Sequence, residues 1–178
     1  MPQSKNLTTV VDDIYETLSC LCDSEDLEIP DEHIEEFGER IKAALKNWST
    51  PHKEKASLRM SIIGRPMRRL WYDLKNGNLA FNRTHPSVFI KFLYGHILEE
   101  LVLLLVKLSG HEVEDEQKEI EVDGVKGHMD CKIDGEVVDI KTASSFAFKK
   151  FEKGTLHDDD PFGYMAQLAG YETAEGTD

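Results

Sequence analysis

The stretch 128–141 holds His128, Asp130, Asp139 and Lys141, with the dipeptide Asp134-Gly135 between the two aspartates. Asp-Gly is a strong two-residue hairpin signal. With those residues as the loop, Ile133 pairs with Glu136, Cys131 faces Val138, Asp130 faces Asp139 and His128 faces Lys141. The strand period of two then places His128, Asp130, Asp139 and Lys141 on one sheet face, and Met129, Cys131, Val138 and Ile140 on the other. Carboxylates directly opposite on neighbouring strands have Cβ atoms about 5 Å apart and repel each other. A divalent cation would offset that repulsion, and Mg²⁺ favours a few carboxylates completed by water and phosphate oxygens. Lys141, two residues past Asp139, could hold a water or a phosphate oxygen beside such an ion. The other reading is a solvated strand face of mixed charge, since Asp-x-Lys alone is a common tripeptide.

A second set lies upstream. His96 and Glu99 are three residues apart, on one face of a helical stretch, with Glu100 beside them. Each could reach a metal held by the sheet if that helix packs across it. The plainer reading is a helix histidine with surface glutamates.

The elements that would position these groups follow from hydrophobic spacing. Leu7, Val10, Val11, Ile14, Leu18 and Leu21 predict a helix over 7–22; Pro30 opens a second with Ile34, Phe37, Ile41, Ala44, Leu45 and Trp48 as its stripe. Residues 23–28 read as a loop and 49–56 as a linker. A short helix after Gly64 should turn Met67, Leu70, Trp71 and Leu74 inward, ending at Asn76-Gly77-Asn78. Pro86 opens a long helix over 87–108, stopped by Gly110. Asp123-Gly124 and Asp134-Gly135 then separate three strands, 113–122, 125–133 and 136–142, which predicts an antiparallel meander. A helix over 144–153, a loop containing Asp158-Asp159-Asp160-Pro161 and a last helix over 162–171 complete the order, and 173–178 carries no structure signal.

The net charge of -13 disfavours a nucleic-acid partner at first, but the charge is unevenly placed. Residues 1–40 carry twelve acids and two bases, residues 53–107 ten bases and four acids, and residues 108–178 seven bases and eighteen acids. The middle block, which includes Lys53, Lys55, Arg59, Arg65, Arg68, Arg69, Lys75 and Arg83, is either a phosphate-binding footprint or a solvated helical face. The acidic N-terminal segment offers a surface for a protein partner. No apolar run approaches the length of a membrane span, and the first residues lack the apolar core of a signal peptide, so the expected location is the cytoplasm, that of the host cell if the protein is viral. Three cysteines, Cys20, Cys22 and Cys131, argue against a disulfide framework.

Gly95-His96-Ile97-Leu98-Glu99, Gly127-His128-Met129-Asp130, Asp139-Ile140-Lys141 and Gln167-Leu168-Ala169-Gly170-Tyr171 occur in that order. The ordered set resembles the RecB/Cas4-like branch of the PD-(D/E)XK nuclease superfamily, and phage-type exonucleases in particular, from about Ser57 to Tyr171. The resemblance implies an α/β fold: a restriction-endonuclease-like core, a small mixed sheet flanked by helices, here preceded by a helical segment over 1–50. It implies Mg²⁺- or Mn²⁺-dependent hydrolysis of DNA, by an exonuclease, in DNA processing, recombination or replication. Asp130 and Asp139 would be metal ligands and Lys141 the catalytic lysine. His96 matches the ligand histidine of that branch and Glu99 the Gly-x-x-x-Glu acid of related exonucleases, and the choice between them stays open. Gln167 and Tyr171 would lie near the DNA and the active site. Arg65, Arg68 and Arg69 are candidates for contacts with the DNA backbone.

Cas4 proteins carry four cysteines for an iron–sulfur cluster. Here Gly64-Arg65-Pro66 stands where the first would be, so no cluster is expected. The chain stops soon after Tyr171, where this fold usually continues, so the nuclease domain over 51–178 is expected to be shortened at its C-terminus. The rival reading from another class is a catalytically silent nucleic-acid-binding or assembly module that keeps the fold.

Overall fold

At Asp123-Gly124 and Asp134-Gly135 all four residues have left-handed backbone, with φ of 50° and 79° at the first turn and 52° and 85° at the second. That is the type I′ pattern, whose twist matches the strands on either side. The computed structural model describes residues 5–23, 28–50, 57–76 and 85–176. The predicted linker residues 51–56, the loop residues 24–27, the helix stop Gly77-Asn78 and the basic residues Lys53, Lys55 and Arg83 fall outside them.

The fold is mixed α/β. Among the described residues the α-helices are α1 (Val10–Asp23), α2 (Asp31–Ser49), α3 (Met67–Asn76), α4 (Pro86–Leu108), α5 (Ser145–Glu152) and α6 (Tyr164–Glu175). The strands are β1 (Val113–Glu114), β2 (Lys118–Val122), β3 (Val125–Met129), β4 (Cys131–Ile133) and β5 (Glu136–Val138). Among the described residues no helix is long and apolar enough to cross a membrane.

The expected mixed sheet and continuous meander are corrected to two small antiparallel sheets, β1-β4-β5 and β2-β3. Register explains the division. Glu114 pairs with Lys132 and Lys118 with Met129, so three residues (115–117) on one strand oppose two (130, 131) on the other. The extra residue makes a bulge, and Asp115 and Gln117 take φ of 51° and 54° there. The third strand ends at Val138, so Asp139 and Lys141 lie beyond it, and the predicted pairing of His128 with Lys141 does not form; His128 pairs with Glu119. The last helix runs through Thr173 to Glu175 and is closed by Gly176 at φ 68°, so part of the segment read as unstructured is helical.

The described residues form two compact units. The first comprises Met1–Pro51, Ser87–Glu116 and Cys131–Glu136. Here α4 ends in a Schellman motif: Gly110 N–H donates to Lys107 O and His111 N–H to Val106 O, with Gly110 at φ 79°. The motif delivers His111, whose side chain is fully buried, between two carboxylates. Nδ1 stands 2.6 Å from Asp134 Oδ2 and Nε2 2.9 Å from Asp13 Oδ2, so each ring nitrogen faces a carboxylate oxygen. Asp134 thus serves as turn residue and as anchor, its Oδ1 also accepting the Glu112 N–H at 3.0 Å.

Charge ties α2 to α4. Lys107 Nζ donates to Glu36 at 2.6 Å and to Glu116 at 2.8 Å, and Arg40 lies 3.0 Å from Glu36, 2.8 Å from Glu116 and 3.6 Å from Glu100. Hydrogen bonding from Lys107 lowers the Glu36 carboxyl below its usual range, against some desolvation, with help from Arg40. Burial raises that of Glu100, and the attraction of Arg40 only partly offsets this. Trp48 Nε1 donates to Phe89 O at 3.0 Å while its ring stacks on Phe89. The acidic N-terminal segment is therefore helical, as its spacing predicts, and is bonded to α4 by name.

The second unit comprises His52–Pro86, Gln117–Asp130 and Val137–Asp178. Met60, Ile120, Met129 and Tyr171 form its buried centre, flanked by Val122, Val125, Val137 and Ala174. α6 packs on β2 and on a 3-10 turn, Met60–Ile62. Two glycines permit the approach of that turn: a Cβ on Gly64 would lie 2.4 Å from the Gly163 Cα. The predicted inward stripe of α3 is corrected, because Met67 is 83% and Trp71 52% exposed and the helix buries no residue. Amphipathic spacing identifies the stripe without identifying what covers it.

Two outcomes follow for the first unit. Arg40→Met should cost about 2 kcal/mol in urea unfolding, less than a fully buried pair because the guanidinium keeps 26% exposure. For Glu100 the folded carboxyl is raised, so the parent loses stability as pH rises through the ordinary carboxylate range toward that higher value. Glu100→Gln removes this loss. The stability of the variant minus that of the parent should therefore increase from acid to neutral pH, and a flat or falling difference would contradict the burial argument.

Candidate functional site

β3 leaves the centre of the second unit at Asp130, and β5 ends just before Asp139. These two ends meet: Asp130 Oδ2 accepts the backbone N–H of Ile140 at 2.7 Å. The bond joins Asp130 to the residue after Asp139, in place of the facing strand register expected of the two aspartates. A carboxylate accepting the amide next to Asp139 replaces a continued ladder between strands. Both aspartates are partly buried while Lys141 is exposed.

Asp139 is held from two sides. Its Oδ1 accepts from Lys141 Nζ at 2.6 Å and from Gln167 Nε2 at 3.3 Å, and its side chain is nearly buried. Gln167 also donates to the Tyr171 hydroxyl at 2.5 Å, and that hydroxyl donates to the His128 carbonyl at 2.8 Å. Gln167 and Tyr171 sit one turn apart on α6, so one helix face supplies both. A continuous path of hydrogen bonds therefore runs from β3 through Tyr171 and Gln167 to Asp139 and Lys141. The helix is aimed by its own start: Asp160 accepts the N–H groups of Gly163 at 2.9 Å and Met165 at 2.8 Å.

Beside this path is a cleft of about 570 Å³ lined by Ser57, Arg59, Ser61, Lys126, Gly127, His128, Gln167 and Tyr171. Arg59 forms a parallel bridge with Lys126 of β3, which places the two cations at neighbouring strand positions. Lys126 pairs with Glu119 at 2.9 Å and Glu121 at 3.7 Å, and the Glu119 bond and charge raise its ammonium above the usual lysine range. Arg59 belongs to the basic block that spacing offers as a phosphate-binding footprint, whereas Ser61 and Lys126 carry no such mark. Lys126 and His128, two apart on the exposed face of β3, were the available signal.

The remaining predicted residues are placed as follows. Arg65 precedes α3, and Arg68 and Arg69 lie exposed on it. Arg68 stands 6.0 Å from the Tyr72 ring centroid and Arg69 3.9 Å from Asp73. His96 and Glu99 lie on α4 in the first unit, with His96 Nδ1 3.9 Å from Glu99 Oε2. Cys20 and Cys22 are exposed thiols and Cys131 a buried one.

Among the described residues no group of three or more His, Cys, Asp or Glu side chains is gathered to hold a metal ion. The donor set of the second unit is the pair Asp130 and Asp139, each already accepting a hydrogen bond. Such a pair suits Mg²⁺, which is commonly bound through one or two carboxylates with water and substrate phosphate filling the other positions. It is too small for a closed all-protein cage. No family model, curated protein or solved structure matches the chain.

Tyr171→Phe keeps the buried ring and deletes the hydroxyl between His128 and Gln167. The expected cost is about 1–2 kcal/mol in chemical denaturation, the usual penalty for stranding a buried partner. Amide exchange at Ile140 should quicken if the path to Asp139 loosens, and unchanged exchange there would separate the two ends of the path.

Proposed function

We propose that the chain is a metal-dependent DNA nuclease of the PD-(D/E)XK type, with its chemistry at Asp130, Asp139 and Lys141. One observation carries the reading: Asp130 accepts the amide of Ile140 next to Asp139, Lys141 and Gln167 each donate to Asp139, and Gln167 donates to Tyr171. These are the residues that the resemblance to the RecB/Cas4-like branch names, and an unrelated surface has no reason to connect them. The restriction-endonuclease-like core belongs to the same proposal.

Asp130 and Asp139 would hold Mg²⁺ or Mn²⁺. When bound, the ion would neutralise charge on the phosphate and make a water more acidic. Gln167 fixes the Asp139 carboxylate, and Tyr171 fixes Gln167 by bonding it to the strand. Lys141 neutralises Asp139 in the absence of substrate and can turn its ammonium toward a phosphate oxygen or the attacking water. Water oxygen would replace one ester oxygen at phosphorus, and the leaving oxygen would take a proton. Arg65, Arg68 and Arg69 would contact the DNA backbone without reading its sequence. The resemblance would add one helix ligand, His96 or Glu99, and the choice between them stays open.

A silent DNA-binding or assembly module is the second reading, favoured by the small donor set and the acidity of the chain. Digestion of labelled linear and circular DNA, with Mg²⁺, with Mn²⁺ and with chelator, separates the two. Cleavage should require the metal and fall at least about 100-fold in Lys141→Ala and Asp139→Asn, while both variants keep the parent's DNA affinity within a few-fold. Metal-independent or undiminished cleavage rejects the assignment, and binding without any cleavage selects the silent module.

Charge predicts the binding curve as well. Replacing Arg65, Arg68 and Arg69 together by Ala should lower the slope of log K against log salt by about three, one for each phosphate contact. An unchanged slope would leave these arginines a structural role.

A further inference from the structure

A row of aromatic rings begins at Lys141. Its Nζ lies 6.0 Å from the Tyr164 ring centroid. Tyr164 stacks on Phe162 with centroids 5.5 Å apart and planes 22° from parallel, and Phe151 leans on Tyr164 at 6.2 Å. The outer ring, Phe162, is 56% exposed. Exposed rings gathered beside a charged site mark a binding surface more often than chance exposure does.

We propose that Phe151, Tyr164 and Phe162 form a stacking shelf for an unpaired nucleobase of the strand whose phosphate lies at Lys141. The proposal rests on the nuclease reading for the phosphate and adds the substrate class: a single strand, or a duplex end opened by at least one nucleotide. Three features select a base over an apolar protein segment. The shelf is continuous with the candidate site through Tyr164, whose phenol is raised above its usual range by burial and lowered in part by Lys141. Two lysines of residues 145–153, Lys149 and Lys153, stand against Glu152 alone and suit a phosphate backbone, Lys150 being paired with Asp159. The nearby acids are largely engaged: Asp159 with Lys150, Asp158 with His157, and Asp160 with the amides that start α6. Stacking requires a free base face, which an intact duplex does not present, and it tolerates any base.

The test measures binding by the full chain in chelator, where cutting does not interfere, using fluorescein-labelled oligothymidylate, an abasic strand of equal length and a duplex. Phe162→Leu keeps the apolar bulk of the outer ring and removes its π-face; Phe162→Tyr keeps the face. Oligothymidylate affinity should fall about ten-fold in Phe162→Leu, the loss of one stacked base, and stay within two-fold in Phe162→Tyr. Abasic and duplex affinities should change less than two-fold in both. Equal losses on all three ligands, full retention in Phe162→Leu, failure of the parent to bind oligothymidylate, or self-association that Phe162→Leu preserves and oligothymidylate cannot displace would each overturn the shelf. The nuclease reading is judged separately: if Asp139→Asn digests DNA at the parent's rate, that reading fails whatever the binding result.

Discussion

The Tyr171 phenol is 1% exposed, and its hydroxyl lies between the His128 carbonyl and the Gln167 amide. A buried hydroxyl without partners would cost more than the net gain of most hydrogen bonds, so its two bonds constrain everything near it. They fix the rotation of α6 about its axis and the end of β3 at once. With both fixed, Gln167 can reach Asp139 and no long side chain has to search for its position. The ring itself supplies bulk at the centre of the second unit, against Met60, Ile120 and Met129. Packing and site geometry in this unit therefore share one residue.

Charge acts differently in the two units. In the first, Glu36, Glu100 and Glu116 surround Arg40 and Lys107, so acids outnumber bases in a partly buried place. Glu36 and Glu100 respond in opposite directions because one is bonded by Lys107 and the other mainly desolvated. In the second unit the cations Arg59, Lys126 and Lys141 lie beside a cleft and a carboxylate, where a polyanion could compete for them. The net charge of the chain averages over these two arrangements and describes neither.

The sequence makes the turns legible because Asp-Gly at two positions leaves few other backbone solutions. Strand period points to the segments of Asp130 and Asp139 as neighbours, although the bond between these segments runs from the Ile140 amide to Asp130 and not through a facing register. The bulge at 115–117 escapes spacing because Asp115 and Gln117 enter the left-handed region without glycine to announce it. Gln167 and Tyr171 stand out only through the resemblance, since their helix has no sharp apolar stripe that distinguishes them. Arg59 beside Lys126, and Tyr164 beside Lys141, depend on contacts between distant segments, and no local pattern encodes those. α3 shows the converse limit: its spacing gives an apolar stripe, yet Met67 and Trp71 remain open to solvent.

The two units interleave along the chain, which passes from one to the other at 51/52, 86/87, 116/117, 130/131 and 136/137. A ribosome emits residues in order, so neither unit can be finished as a block while the other waits. The first lacks Asp134, the partner of His111, until the second hairpin turn has been made, and the second lacks α6 until nearly all the described chain exists. During synthesis the early helices must persist with their acids and bases only partly matched. Assembly is then governed by contacts of long sequence separation, which slow folding and prolong the exposure of apolar surface. A single proteolytic nick at 86/87, 116/117 or 130/131 would leave two fragments that each contain parts of both units, and one at 51/52 or 136/137 would detach only a piece of one unit, so no single cut releases either of them whole.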